Sequence, residues 1–321
     1  MLTITHTHET GTLIEGTEKG DGSAAALKAN RWRYSRHVGW YLSGSRDHNA
    51  RQHTIRATVA ALEAAGFDVE TIIDDTPRPT ANVEADKIAR QADRVDALDA
   101  QADRKAAADT AAWERVEAAH RALPEGGEPI HVGHHSERRH RNAIAKADQA
   151  MRASINATAA AQHAADRAAV AAKTTELRYS PRHAATRLER IQTEIRGTER
   201  RINGSSHNFG GGYIETTQRA TGDYLERLRV QLASQKDQLT YWQGIRAQQI
   251  EAGEAGDYSR ETIHRGDLVQ VGRGAASRWD VVVRVNPKTV TVQPEHVAWQ
   301  LKYTYGQITG HKPAPAAAAT D

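Results

Sequence analysis

The sequence contains no cysteine. That absence excludes disulfides, thiolate-bound zinc and a cysteine nucleophile, so any metal site must be built from His, Asp or Glu. It also fits a reducing compartment. Large apolar side chains are scarce. There are two methionines and two phenylalanines, aromatics make up 5% of the 321 residues, and the hydrophobic fraction is 39%. Soluble domains average about 45–50% apolar. One large core is therefore not expected; long alanine-rich helices with small satellite cores fit better. No apolar run approaches the roughly 18–20 residues of a membrane-spanning helix. The opening MLTITHTHETGTLIEG lacks the basic and apolar segments of a secretory signal. The expectation is a soluble, cytoplasmic chain with no membrane partner.

What is present is charge. Lys and Arg number 43 against 40 Asp and Glu, a net +3, with 16 histidines besides. The pI is about 9.1 and the mean hydropathy −0.68. With totals so nearly balanced, the distribution of charge decides the partners.

Residues 1–78 read as a small α+β module. TLIEG is strand-like, and GDGSAAALKAN is a loop and short helix with Ser23 as N-cap. WRYSRHVGWYL alternates as a strand or hairpin does. Ile55, Val59, Leu62 and Ala65 share one face of a helix that Gly66 stops, and FDVETII closes the module. GTEKGDGS lacks the ending of a phosphate loop and reads as a turn.

Residues 79–178 form a helical hairpin. Ala81, Ala85, Ile88, Ala92, Val95, Ala102, Ala106, Trp113 and Val116 step by threes and fours, with lapses at Asp99 and Asp109, a coiled-coil-like pattern with a thin seam. PEGGEPIHVGHH interrupts it before helix resumes near Ser136. Residues 179–256 form a second hairpin. Its seams are Ala184, Leu188, Ile191, Ile195 and Ile202 against Leu225, Leu228, Leu232, Leu239 and Trp242, around a flexible loop NGSSHNFGGG. In residues 257–312, DLVQV, WDVVVRV and TVTVQ switch to period two, as in an SH3-like small barrel. Arg265, Arg273, Arg278, Arg284, Lys288 and Lys302 give this part cations. Residues 313–321 are a disordered tail. The fold class is thus mainly α, with an α+β N-terminal module, long antiparallel helical hairpins and a C-terminal SH3-like β-barrel.

Two stretches carry chemistry. In GEPIHVGHHSERRHRNAI, Gly133 turns the chain and Ser136 caps a helix starting at Glu137. Helix-start amides suit an anion, and Arg138, Arg139 and Arg141 add charges able to grip phosphate. Gly133, His134, His135, Ser136, Arg138, Arg139 and Arg141 are the candidate phosphate-binding set. Alternatively His134, His135 and His140, with Glu137, hold Zn or Mn in a metal-dependent phosphodiesterase. His140 also shares a stripe with Ile144, Ala147, Met151 and Ile155, which makes it a structural histidine as readily as a ligand. In LKANRWRYSRHVGWYL, aromatics interleave with cations. Arg31, Arg33, Tyr34 and Arg36 suit single-stranded nucleic acid if Trp32 and Trp40 point into the core while Tyr34 and Arg33 point out. No Ser-His-Asp triad can be singled out.

Through GEPIHVGHHSERRHRNAI, and through the flanking QADRVDAL and DRKAAADTAAW, roughly residues 75–175 resemble domain-of-unknown-function family 3560. The resemblance implies a role in DNA maintenance, transfer or defence evasion on plasmids, phages or other mobile elements. It brings no established catalytic residues. LKANRWRYSRHVGWYL is similar to a small domain found beside plasmid primases and helicases, with Asn30 where that domain has glycine. The expected function is a nucleic-acid-binding accessory protein, without cofactor, whose partner is DNA or RNA. A protein-binding scaffold, or a homo-oligomer formed through the hairpins, is the further alternative.

Overall fold

The computed structural model describes residues 1–124, 127–272, 276–295 and 297–314. Arg273, and the expected tail from residue 315 onward, lie outside the described residues. The chain divides into two compact units, one of residues 1–84 with 184–321 and the other of residues 85–183. No described helix is long and apolar enough to cross a membrane.

The first unit opens with a mixed sheet of β1 (Leu2–Thr7), β2 (Gly11–Glu15), β3 (Trp32–Ser35), β4 (Gly39–Leu42) and β5 (Val69–Ile73). The order is β3-β4-β2-β1-β5. β1 pairs antiparallel with β2 and parallel with β5. β1 is not among the strands expected from sequence. Strand side chains alternate faces, so Leu2, Ile4, Ile14, Trp32, Trp40 and Leu42 join one core. Leu27 of α1 (Ser23–Ala29) and Ile55 and Leu62 of α2 (Gln52–Ala64) complete it. The Trp32 indole N–H donates to the Thr58 hydroxyl at 2.9 Å, which satisfies its one polar atom. Gly22, not Ser23, is the N-cap of α1. The Asp21 carboxylate instead accepts from the Ser23 N–H and hydroxyl, at 2.8 and 2.7 Å.

α3 (Thr80–Arg121) has its first amide held from outside: Thr80 N–H donates to the Asp237 carboxylate of α7 (Gly222–Glu251) at 2.7 Å. A carboxylate there favours the positive helix end. α6 (Pro181–Asn203) leads to α7, with the Arg187 guanidinium 4.6 Å from the Trp242 ring centre. Gln235 is buried between Leu228 and Trp242, filling a gap in the predicted leucine seam. The predicted flexible loop between these helices is a β-hairpin, β6 (Ser205–Gly210) with β7 (Tyr213–Thr217). It exposes Phe209, Tyr213 and Ile214.

β8 (Leu268–Val271), β9 (Arg278–Val285), β10 (Thr289–Gln293), β11 (Leu301–Thr304) and β12 (Gly310–Lys312) form an antiparallel sheet in the order β11-β10-β9-β8-β12. Its core is Ile263, Val269, Val271, Val282, Val290, Val292 and Ile308. Among the described residues no pairing of β11 with β12 closes it, so the expected barrel is an open sheet.

The second unit is an antiparallel pair of helices, most of α3 and α4 (Glu137–Ala172), followed by the short α5 (Thr174–Arg178). Gln91 donates to the Ala171 carbonyl at 2.8 Å, and Thr158 donates to Asp109 at 2.7 Å. Val95, Leu98 and Ala102 pack on Ala168 and Ala171, and further along Ala112 and Val116 are buried. The real stripe therefore passes through Leu98 and Asp109. Ile88 and Trp113, predicted to lie on the seam, are 41% and 53% exposed. On α4, Ser154 is buried and Ile155 exposed, the same slip of one position.

Candidate functional site

The basic stretch sits where α3 ends and α4 begins. Gly133 has φ +82° and open space where a β-carbon would stand, so its need for glycine is conformational. That conformation lets its N–H donate to Glu137 Oε2 at 2.7 Å, while Arg141 Nε donates to Glu137 Oε1 at 2.8 Å. Together these hold the Glu137 carboxyl below its ordinary pKa, the Gly133 amide contributing most. Glu137 itself places a carboxylate in the first turn of α4, where an external anion was expected, and Arg141 is engaged by it. Ser136 is the N-cap residue but makes no side-chain cap; its hydroxyl lies 2.8 Å from His134 Nδ1.

Arg138 and Arg139 point elsewhere. With His135, Asn142, Ala143 and Lys146 they line an open groove of about 740 Å³ whose other wall is Ala118 and Ala119 of α3 and Ala122 just after it. Among the described residues no acidic side chain lines it. Arg138, Arg139 and Lys146 are exposed, and among the described residues they have no carboxylate partner. The alanines opposite are small, so the cationic wall stays reachable.

Among the described residues, the histidines here do not bring three ligand atoms within 4.8 Å of one another. The His134 and His135 rings are 4.0 Å apart and those of His131 and His134 6.2 Å apart, all on the surface. His131 pairs with Glu128 at 2.9 Å. His140 is half-buried on α4. His134, His135 and His140 do not bring three ligand atoms together. Among the described residues the triplet that does is His6, His8 and Asp75. Sequence reading passed over these three. The available signal was the alternation THTHE, which puts two histidines on one face of a strand. Burial lowers the His6 pKa, with Asp75 opposing.

In the N-terminal module, Trp32 and Trp40 are buried, while Arg31, Arg33, Tyr34 and Arg36 are exposed. The outward and inward sets are those the aromatic-cation pattern requires. Tyr34 is 64% exposed and packs edge-on against Trp40 at 5.5 Å. Arg31 has φ +67° as the residue following the C-cap of α1, a position where glycine is usual. Arg31, Arg33 and Arg36 have no acidic partner among the described residues. This patch and the groove lie in different units.

Residues 86–207 match the model of the family described as domain of unknown function DUF3560. The match takes in all of α4 and the groove, and it bears out the resemblance carried by the Gly-His-His-Ser stretch. No curated protein and no solved structure matches the chain.

Proposed function

We propose that the protein binds nucleic acid, DNA or RNA, by its phosphate backbone. The observation that carries this reading is the groove lined by His135, Arg138, Arg139, Asn142 and Lys146, with no carboxylate among the described residues of its wall. Guanidinium groups without a carboxylate partner among the described residues keep their charge for phosphate. The exposed Arg33, Tyr34 and Arg36 supply a second contact in which a base stacks on Tyr34. On this reading the open C-terminal sheet is SH3-like, the hairpins pack as coiled coils, and the protein serves a plasmid, phage or other mobile element, as the family resemblance implies.

The test is binding to labelled single-stranded and duplex oligonucleotides across a salt series, with wild type and an Arg138→Ala/Arg139→Ala/Lys146→Ala variant. Wild-type affinity should fall linearly on a log–log plot against salt. The variant should lower the duplex slope by about 0.9 for each phosphate it no longer neutralises. A slope unchanged in the variant overturns the assignment to this groove. Salt-independent binding, or none, overturns the reading itself.

A further inference from the structure

Buried imidazoles keep their ring nitrogens hydrogen-bonded, because nothing else replaces the water they gave up. His8 departs from this rule. It is 8% exposed, and its Nε2 is sealed from solvent without a hydrogen-bond partner. The atom faces a specific setting. One ligand atom each from His6, His8 and Asp75 lies within 4.8 Å of the other two. His6 Nε2 and Asp75 Oδ1 are 3.4 Å apart, and the two imidazole rings meet edge-on at 6.2 Å.

The fold explains why these residues meet. β1 and β5 run parallel, with His6 opposite Ile73. Continued two residues along, that register carries His8 toward Asp75. Strand alternation puts His6 and His8 on the same face as Leu2 and Ile4, so both histidines are drawn into the end of the core. The surrounding groups hold the set in place. His6 Nδ1 lies 2.8 Å from the Thr12 hydroxyl, and Asp75 Oδ1 accepts the Ala50 N–H at 2.6 Å. An imidazole held at one nitrogen by a hydroxyl, and a carboxylate fixed by an amide, are the outer partners that orient metal ligands.

We propose that His6, His8 and Asp75 bind one divalent transition-metal ion of the zinc class. Two imidazoles and a carboxylate suit Zn²⁺ or Co²⁺, whereas Mg²⁺ and Ca²⁺ take oxygen donors. Bonds of about 2.0–2.2 Å to a tetrahedral ion need donors closer together than 4.8 Å, a distance that small side-chain rotations close. His6 Nε2 now lies 3.1 Å from the His48 carbonyl, to which it donates. On binding, the ion takes that nitrogen's lone pair, and the ring's one proton moves to Nδ1, which donates it to Thr12. The net proton count of the ring is unchanged. Three protein donors leave one tetrahedral position for water, on the side where Asp75 is half-exposed. The ion ties the ends of β1 and β5 together, and this site stands independently of the phosphate groove.

The experiment uses the full chain without a polyhistidine tag, stripped by chelator and titrated with Zn²⁺ by calorimetry and with Co²⁺ by visible absorption. Wild type should bind one Zn²⁺ per chain, rise in thermal midpoint with Zn²⁺, and give the intense Co²⁺ bands of tetrahedral coordination. Thr12→Val should weaken binding roughly 10–100-fold, as loss of an outer partner does, and His8→Ala and Asp75→Asn should weaken it further. Asp75→Asn retains an oxygen for the Ala50 amide, so it keeps the fold if His8→Ala does not. His134→Ala/His135→Ala should bind as wild type. The proposal is overturned if wild type shows no saturable binding, if Asp75→Asn binds as tightly as wild type, or if binding is lost with His134 and His135 instead.

Discussion

Two groups of histidines in this chain differ in ways that run opposite to their prominence. His131, His134 and His135 crowd a few positions of sequence, yet they stand on the surface, where His131 and His134 turn to local partners, Glu128 and Ser136. His6 and His8 are a sparse pair whose third member, Asp75, lies far along the chain, yet their donor atoms converge in a buried setting. Proximity in sequence places side chains on one short element, where neighbours on a helix start or turn point in divergent directions. A parallel strand pair brings distant residues to one end of a sheet and aims alternate side chains the same way. Dense basic charge therefore serves a surface role here, and the sparse pair serves a buried one.

The sharpest test of this contrast is stability in metal-free protein. His6→Ala removes a fully buried ring and leaves Thr12 without its partner, at an expected cost of about 2–4 kcal/mol. His134→Ala, on the surface, should stay within about 0.5 kcal/mol of wild type. Urea unfolding of both variants checks this, and equal costs would erase the distinction. Next in size comes Gly133→Ala, which forces an L side chain to positive φ and should cost about 1–2 kcal/mol locally. Hydrogen exchange at the start of α4 would report it. Arg31→Gly relieves the same strain after α1 and should be neutral or stabilising by less than about 1 kcal/mol, read from the thermal midpoint. A third histidine that packs against a carboxylate extends the comparison. His311 lies 2.7 Å from Asp267, which also accepts from the His264 and Ala314 amides. Burial alone would raise the Asp267 pKa, but these hydrogen bonds outweigh it and the net shift is downward from 3.8. A depressed carboxyl stabilises the fold fully above its unfolded value and loses that contribution as pH falls through the folded one. Thermal midpoints measured from pH 5 downward should therefore drop more steeply in wild type than in Asp267→Asn; identical profiles would remove Asp267 as the cause.

Much of the architecture was legible because it depends on period. Steps of three and four located the helices of both hairpins, and the period-two runs gave β8, β9 and β10. The interleaved WRYSRHVGWYL suits nucleic acid only if its tryptophans turn inward while Arg33 and Tyr34 turn out, and that is the arrangement found. The phase of the first hairpin was not legible. Alanine is nearly as acceptable on one face as another, so the expected stripe held Val95, Ala102 and Val116 correctly but took in the exposed Ile88 and Trp113 and left out Leu98 and Ala112. Hydropathy alone also argued against Asp109 at the seam, where its bond to Thr158 satisfies it. The hairpin β6–β7 escaped notice because its strands are exposed on both faces and show no alternation.

The sequence by itself determined the long helices and the period-two strands, the thin alanine seams, the concentration of cations before and within the start of α4, and the absence of any thiolate chemistry. These follow from local propensity, side-chain volume and composition. Tertiary structure decided which cations face the groove and which are consumed, since Glu137 takes Arg141 and leaves Arg138 and Arg139. It also decided that His6, His8 and Asp75 meet. The first outcome depends on the direction each side chain takes from its helix, the second on the long-range pairing of β1 with β5, and neither quantity is written in the order of residues along the chain.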